Sequence, residues 1–313
     1  CDKCGRKGLI VRARVWITAS ERRNLWREEE YWKTKGSEDL NLNKKEGPLQ
    51  YQGNDNPQPE RRTNPTTTLN RQQNRNKLLS ININGLNLTS KRKRILTKLT
   101  RQNANIICLQ ETHIRKNDER YLICPKLGKL FTAPADKHKK KGIAIYVKDD
   151  LKADLIWSDL EGRTLVVQIL INFITFLLVT IYAPNEEQGN FCFEKRNICM
   201  IGDFNSIADH QKDHSNASKN KKGKREFSKS CKDMMKELNL VDLWRKLNPE
   251  DKQFTYYSNP HKIWTRIDMA WMNGELANEI KEIKILPNEW ADHNPIQIIW
   301  RDNTQIYLAG KES

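Results

Sequence analysis

Acidic residues are scarce for a chain this basic: 39 Asp and Glu stand against 55 Lys and Arg in 313 residues, a balance of +16. That deficit argues against an enzyme of neutral metabolites and for a polyanionic partner, either nucleic acid or an anionic membrane surface. An unbroken membrane-length apolar span is also missing. The best candidate, Leu165 to Tyr182, is interrupted by Gln168 and Asn172 and dominated by Val, Ile, Thr and Phe. Those are strand formers, so it reads as two buried strands joined near Asn172, without the polar turn such a joint calls for. Cys1 and Cys4 make one Cys-x-x-Cys pair, but no second pair follows at zinc-ribbon spacing, so a chance pair is the better reading. The seven cysteines are scattered and odd in number, which fits a reducing compartment better than a disulfide scaffold. Cys108, Cys199 and Cys231 lie in apolar runs and read as buried thiols. There is no Walker A loop, no Gly-x-Ser-x-Gly elbow, no Cys₂His₂ set and no internal repeat. No signal peptide is visible, and a start on Cys1 rather than Met is what a fragment would show.

What is present is enough for a core: 37% of residues are hydrophobic, too many for a wholly disordered chain and too few for a polytopic membrane protein. Residues 1–76 form a polar leader. Its 36–76 stretch is rich in Asn, Gln, Pro and Thr and reads as disordered, while Leu9 to Trp32 has the texture of a helix or two. From Lys77 the texture changes. Strands are predicted at 78–83, 106–110, 142–147, 164–182 (a pair), 198–201, 254–258, 267–272, 283–286 and 296–300. Helices are predicted at 91–102 and 226–239, the latter with Phe227, Cys231, Met234, Met235 and Leu238 as an ordinary core stripe. Many strands with few helices point to facing sheets with helices outside, over 77–300, followed by a tail at 301–313. Two lysine runs, 137–142 and 219–225, read as exposed loops suited to backbone phosphates.

Polar residues recur just past the apolar strands, where loops present side chains from a rigid scaffold. The first strand carries Asn82 and runs into Asn84, Glu111 and His113 follow the second, and Tyr182 ends the strand pair. Asp203 and Asn205 follow 198–201, Thr265, Arg266 and Asp268 lead into 267–272, and Asp292 and His293 precede the last strand. Singly, each reads as a turn former or helix cap. Together they make the inventory of a magnesium-dependent phosphodiesterase: hard carboxylate and amide oxygens for Mg²⁺, and an acid–histidine pair to face a phosphate.

The motifs SININGLN (80–87), CLQETH (108–113), GIAIYV (142–147), IYAPN (181–185), IGDFN (201–205), TRID (265–268) and ADHNPI (291–296) resemble the endonuclease/exonuclease/phosphatase superfamily. More narrowly, they are similar to the apurinic-type endonuclease domain of LINE-type (non-LTR) retrotransposon proteins. The resemblance implies a DNase I-like, four-layered α/β sandwich of two facing mixed sheets with outer helices. It implies a nuclear DNA endonuclease that nicks one strand of double-stranded DNA to leave a 3′-hydroxyl, with Mg²⁺, or Mn²⁺ in its place, as cofactor. Element RNA would be a further partner, through a reverse transcriptase domain that does not follow Trp300 here. The resemblance assigns Glu111, Asn82 and Asp292 to the metal, Asp203 to the attacking water, and Asn205 to Asp203 or a phosphoryl oxygen. Tyr182 and His293 would meet the scissile phosphate, with Asp268 orienting His293. Thr265, Asn84, Arg266, Lys91 and Arg92 would contact DNA.

One departure stands out. Between the YAPN and GDFN motifs, 186–197 leaves room for about one turn where the family places an outer helix. Its loss would bare a sheet face at a cost on the order of several kcal/mol. Two other readings therefore stand beside the nuclease: a DNA-binding remnant without catalysis, and a lipid phosphodiesterase or phosphatase of the same superfamily.

Overall fold

Alternating and fully apolar runs set the strands, and the computed structural model describes residues 11–13, 76–134, 141–183, 191–193, 197–216 and 226–301. The leader and both lysine runs lie almost wholly outside the described residues. One sheet is built from β2 (Lys77–Asn82), β3 (Ile106–Gln110), β4 (Lys129–Ala133), β5 (Ile143–Val147), β15 (Ile280–Ile285) and β16 (Ile296–Trp300), in the order β15-β16-β2-β3-β5-β4. The other contains β6 (Lys152–Ser158), β7 (Thr164–Ile171), β8 (Ile174–Tyr182), β10 (Asn197–Asp203), β11 (Leu240–Asp242) and β14 (Asp268–Asn273), in the order β11-β14-β10-β8-β7-β6. Each is mixed: β2 runs parallel to β3 and β8 parallel to β10, and the remaining pairs are antiparallel.

Period-two side-chain alternation divides the apolar residues between layers. Leu78, Ile106, Cys108, Ile143 and Ile145 of the first sheet meet Leu165, Val167, Leu178, Cys199 and Ile201 of the second in one central core. The outward residues Leu79, Ile81, Ile107, Leu109 and Tyr146 pack beneath Ile95 and Leu99 of helix α1 (Thr89–Thr100). On the opposite side Val179, Ile181, Ile198, Met200 and Met269 pack beneath Cys231, Met234 and Met235 of α2 (Lys229–Glu237). The result is the predicted four-layered α/β sandwich. Cys108, Cys199 and Cys231 are buried free thiols, and burial pushes the first and last up to about 12.

The segment predicted as a strand pair forms the β7–β8 hairpin, and no helix of the described residues is long and apolar enough to cross a membrane. Its turn is Asn172-Phe173 with φ of 49° and 64°. Both are positive, the backbone a two-residue hairpin needs; Asn tolerates it, so the polar turn residue is present after all. Gly202, at φ 140°, allows the close parallel approach of β8 and β10, since a Cβ there would lie 2.0 Å from the Ile181 carbonyl oxygen.

Two expectations about helices are corrected. Val11–Ala13, within the stretch predicted as helical, is a strand, β1. It pairs antiparallel with β9 (Phe191–Phe193), in the stretch where about one turn was expected. Val and Phe favour extended backbone. The face expected to lie bare is covered: Leu177, Val179, Ile198 and Met200 are all buried.

Candidate active site

Strand register gathers the predicted residues. Asp203 ends β10 opposite Tyr182 of β8 on one side and Asp268 of β14 on the other. In the facing sheet Asn82 ends β2 beside Gln110, and Glu111 follows immediately. Asn82 is fully buried and links the sheets: its side-chain Nδ2 donates to Glu111 Oε1 at 2.8 Å and to Asp203 Oδ2 at 3.0 Å. Several residues here hold left-handed backbone: Asn84 (46°), Glu111 (51°), His113 (57°) and Asn205 (47°). For Glu and His such backbone costs about 1 kcal/mol or more, and it persists where surrounding structure dictates it.

Glu111 is half-buried, and burial alone would raise its carboxyl. Hydrogen bonds from His113, Asn82 and Tyr182 outweigh burial and hold it below the usual range. His113 Nε2 lies 3.2 Å from Glu111 Oε2. Tyr182, half-buried beside Glu111, has its hydroxyl pushed well up by burial and by the Glu111 charge, so it stays a donor.

On the other side of Asn82, Asp268 Oδ2 lies 2.8 Å from Nδ1 of buried His293. Burial opposes the imidazolium, but the Asp268 charge and hydrogen bond prevail and raise His293 to about 10. Asp203 is raised to about 7, by burial first and then by the charge of Asp268, against the pull of His293 and of hydrogen bonds from Asn205 and Asn82. Ligand atoms of Asp203, Asp268 and His293 lie within 4.8 Å of one another. With His293 protonated, this trio can hold and move protons. A second set of side chains offers oxygens that could hold a cation. Glu111 is ionised, and the Asn82 amide oxygen accepts from the Asn84 backbone N–H at 3.1 Å with a second lone pair left over. Asp292 is exposed and accepts from Asn84 Nδ2 at 3.3 Å. An all-oxygen set of this kind fits a hard divalent cation.

Other predicted residues are placed differently from one another. Asn205 holds Asp203 by its backbone N–H at 2.8 Å, while its side-chain amide donates to the Ala183 carbonyl at 2.9 Å. Lys91 Nζ donates to the Ile83 and Asn84 carbonyls at 2.8 and 2.7 Å, beside the charges of Asp292 and Glu111. Thr265 is half-buried in β13 (Ile263–Thr265), paired with Tyr256 of β12 (Tyr256–Ser258). Two expected DNA contacts are corrected. Arg266 is only 1% exposed, with its guanidinium on Asp213 (2.9 Å) and Asp242 (2.5 Å). Arg92 is buried, and its guanidinium donates to the Leu86 and Asn87 carbonyls.

Thr255 went unselected in the sequence. Its buried Oγ1 accepts from the backbone N–H groups of Ile267 (3.1 Å) and Asp268 (3.0 Å), fixing the residue that holds His293. The Tyr256 ring lies 4.7 Å from that of His293. A threonine in a predicted strand offers no local signal of this role. His113 was visible within CLQETH, two residues from Glu111.

The fold is shared with solved structures. The AP endonuclease LMAP from Leishmania major superposes with a TM-score of 0.57 at 17% identity, covering 73% of this chain and 88% of that one. The Xenopus laevis APE2 catalytic domain superposes with a TM-score of 0.56 at 19% identity, covering 72% and 94%. These place the sandwich among DNase I-like folds. In sequence, the chain is 25% identical over 256 residues to an exodeoxyribonuclease of Bacillus subtilis (strain 168), covering 71% of this chain and 98% of that protein. It is also 25% identical over 237 residues to a transposon TX1 uncharacterized 149 kDa protein of Xenopus laevis, of which the match spans 18%. Residues 79–288 match the Endonuclease/Exonuclease/phosphatase family, and with the site described above in place the chain belongs to that family.

Proposed function

We propose that the chain is a divalent-metal-dependent DNA endonuclease that nicks one strand to leave a 3′-hydroxyl and a 5′-phosphate. The observation that carries this is the Asn82 amide, which joins Glu111 to Asp203 across the two sheets beside a closed Asp268–His293 pair. In-line attack of water on a phosphodiester adds an oxygen to phosphorus, breaks the bond to the 3′ oxygen and builds negative charge on the phosphoryl oxygens. Asp203, titrating near 7, is suited to take the proton of that water. His293, held as an imidazolium, donates its remaining N–H to a phosphoryl oxygen, while Asp268 fixes its orientation. Tyr182 contributes a neutral hydroxyl donor. Glu111, Asn82 and Asp292 would hold Mg²⁺ or Mn²⁺, which supplies Lewis-acid stabilisation of the same charge. The surplus of 16 positive charges supports a polyanionic substrate, and the transposon relative supports action within a retroelement, where the 3′-hydroxyl would prime reverse transcription in the nucleus.

Purified protein with Mg²⁺ should convert supercoiled plasmid to open circles, EDTA should stop it, and the nick should be extendable by a polymerase without end repair. Asp203→Ala and His293→Ala should abolish nicking. Equal nicking by both variants would overturn the reading. Tight, salt-sensitive binding without any nicking would instead favour a DNA-binding remnant.

A further inference from the structure

One histidine pair has no part in the site above. The rings of His210 and His214 stack with centroids 5.1 Å apart and planes inclined by 13°. Both side chains are half-buried, on the loop that follows the Gly202–Asn205 motif.

Backbone pairing ties this loop to the cleavage site. His293 bridges Tyr256, Tyr256 pairs with Thr265, and Thr265 bridges His214, all antiparallel. Directly opposed antiparallel residues point to the same face. The 4.7 Å contact between the Tyr256 and His293 rings confirms this for the first step. His214 therefore lies on the face that carries His293, three strand spacings away, roughly 14 Å at about 4.8 Å per strand. At a rise of about 3.4 Å per base pair that distance is a few nucleotides, within reach of a duplex seated at His293.

The local chemistry favours an anion. His214 Nδ1 accepts the Asn216 backbone N–H at 3.1 Å, so the neutral ring carries its proton on Nε2, which has no partner among the described residues. The neighbouring charges are otherwise engaged. Asp213 is held by Arg245 and Arg266, and Lys212 Nζ donates to the Pro249 carbonyl, 4.0 Å from Glu250. Asp209 accepts from the backbone N–H groups of Gln211 and Lys212. From β13 and β12 the pair is faced by Thr265 and Tyr256, neither of which carries a formal charge at neutral pH.

Building on the endonuclease reading, we infer that the His210–His214 stack is a backbone-phosphate subsite for the DNA strand flanking the cleaved bond. Burial and the neighbouring His210 lower His214, so its free ring is neutral at pH 7. A phosphate against the rings favours their protonated form, and binding takes up protons. Affinity for DNA then strengthens as pH falls, until His214 is itself protonated in the free chain.

The test is fluorescence anisotropy with a labelled 20-base-pair duplex in EDTA, at fixed ionic strength and at pH 7.5 and 6.0. The probes are the full chain and its His210→Gln/His214→Gln and His214→Arg variants. Asp203 also titrates in this window, so the measure is the difference between wild type and variant. Wild type should tighten between the two pH values by about five-fold more than the double variant, and its salt slope at pH 6.0 should be steeper by about 1. His214→Arg should bind at pH 7.5 about as tightly as wild type does at 6.0. Identical pH dependence and salt slope in wild type and the double variant would overturn the subsite. If the double variant does not fold, weak binding by a folded His214→Arg at pH 7.5 overturns it equally. A wild type that neither binds nor nicks duplex DNA would instead sink the endonuclease reading on which the subsite rests.

Discussion

The Asp268 carboxylate lies 2.8 Å from Nδ1 of His293, and this one contact sets the charge of the whole proton-handling side of the cleft. It makes the imidazole an imidazolium at neutral pH, and that cation in turn moderates the rise of Asp203 next to it. Thr255 fixes Asp268 through its backbone N–H, so the pair is locked from outside the reacting groups. The opposite side of the cleft, around Glu111, is kept anionic by hydrogen-bond donors. Asn82 is the side chain that touches both.

The first prediction concerns pH and rate. Asp203 must be ionised to accept a proton, and its ionised form predominates above about 7. His293 must be charged to donate to phosphate, and it stays charged until about 10. Initial nicking rates measured from pH 5.5 to 10.5 at constant ionic strength should therefore rise through about 7 and fall through about 10. Asp268→Asn should lower the rate about 10²-fold or more and move the alkaline limb toward the ordinary histidine value. An alkaline limb unmoved in that variant would refute the role given to the pair.

A second prediction follows from stability linkage. The folded-state value of Asp203 lies above its ordinary 3.8, so the folded chain binds the extra proton. The resulting stability is fully present below 3.8 and is lost as pH rises through about 7. Above that range the buried carboxylate is a net cost. Asp203→Asn, nearly isosteric and uncharged, should therefore raise Tm at pH 8 by about 5 °C and change it much less at pH 4.5. It should also stop nicking, an exchange of stability for activity at the reacting group. Thermal melts of metal-free protein at the two pH values check it.

The sandwich was readable in the chain because its strands are short apolar runs closed by turn residues, and the side-chain period of two survives in LLSIN and IQIIW. The catalytic-type positions were readable because strand ends carry them, so order along the chain maps to one edge of the fold. Arg266 was misread because sequence shows only its neighbours Thr265 and Asp268. Its partner Asp213 is 53 residues away, and no local pattern joins them. Thr255 was missed for the same reason: its value lies in a backbone contact 13 residues on. The joint near Asn172 was legible, but Asn172 was not taken as its polar turn residue, because Phe173 beside it is an unusual residue at positive φ.

The third prediction uses that misread arginine. Asp213 is fully buried and accepts from Arg266, Arg245 and the backbone N–H groups of Ala208 and Asp209. Asp213→Ala would leave Arg266 with only Asp242 and strip the loop behind Asn205 of its anchor. Breaking a buried pair from one side costs roughly 3–5 kcal/mol, so Tm should fall by about 10 °C. An unchanged melting curve would show that the network is dispensable.

The fourth prediction concerns the β7–β8 turn. Phe173 holds a φ of 64° while its side chain is 81% exposed. Phe173→Gly would create Asn-Gly, the preferred pair for this turn, and relieve the strain of a bulky residue at positive φ. Stability should rise by about 0.5–1 kcal/mol with nicking unchanged, since the turn lies at the far end of the strand from Tyr182. Urea midpoints of the two proteins decide it.

The last prediction separates metal affinity from catalysis. Gly85 sits at φ 86°, and a Cβ there would fall 2.6 Å from His113 Nδ1. Gly85→Ala therefore has to push the His113 ring away, which breaks its 3.2 Å contact with Glu111 Oε2. Glu111 would keep its charge but lose the donor that orients it. Partners of ligating groups typically change metal affinity by about 10-fold or more. The Mg²⁺ concentration for half-maximal nicking should rise by about that factor, with a smaller change in the rate at saturating Mg²⁺. Alanine at positive φ also costs about 1 kcal/mol on its own, so His113→Ala serves as the companion variant. It removes the same donor at a position already at φ 57°, leaves Gly85 unstrained and should reproduce the Mg²⁺ shift. A Mg²⁺ shift in Gly85→Ala but none in His113→Ala would place the effect in the backbone and show that His113 does not orient Glu111.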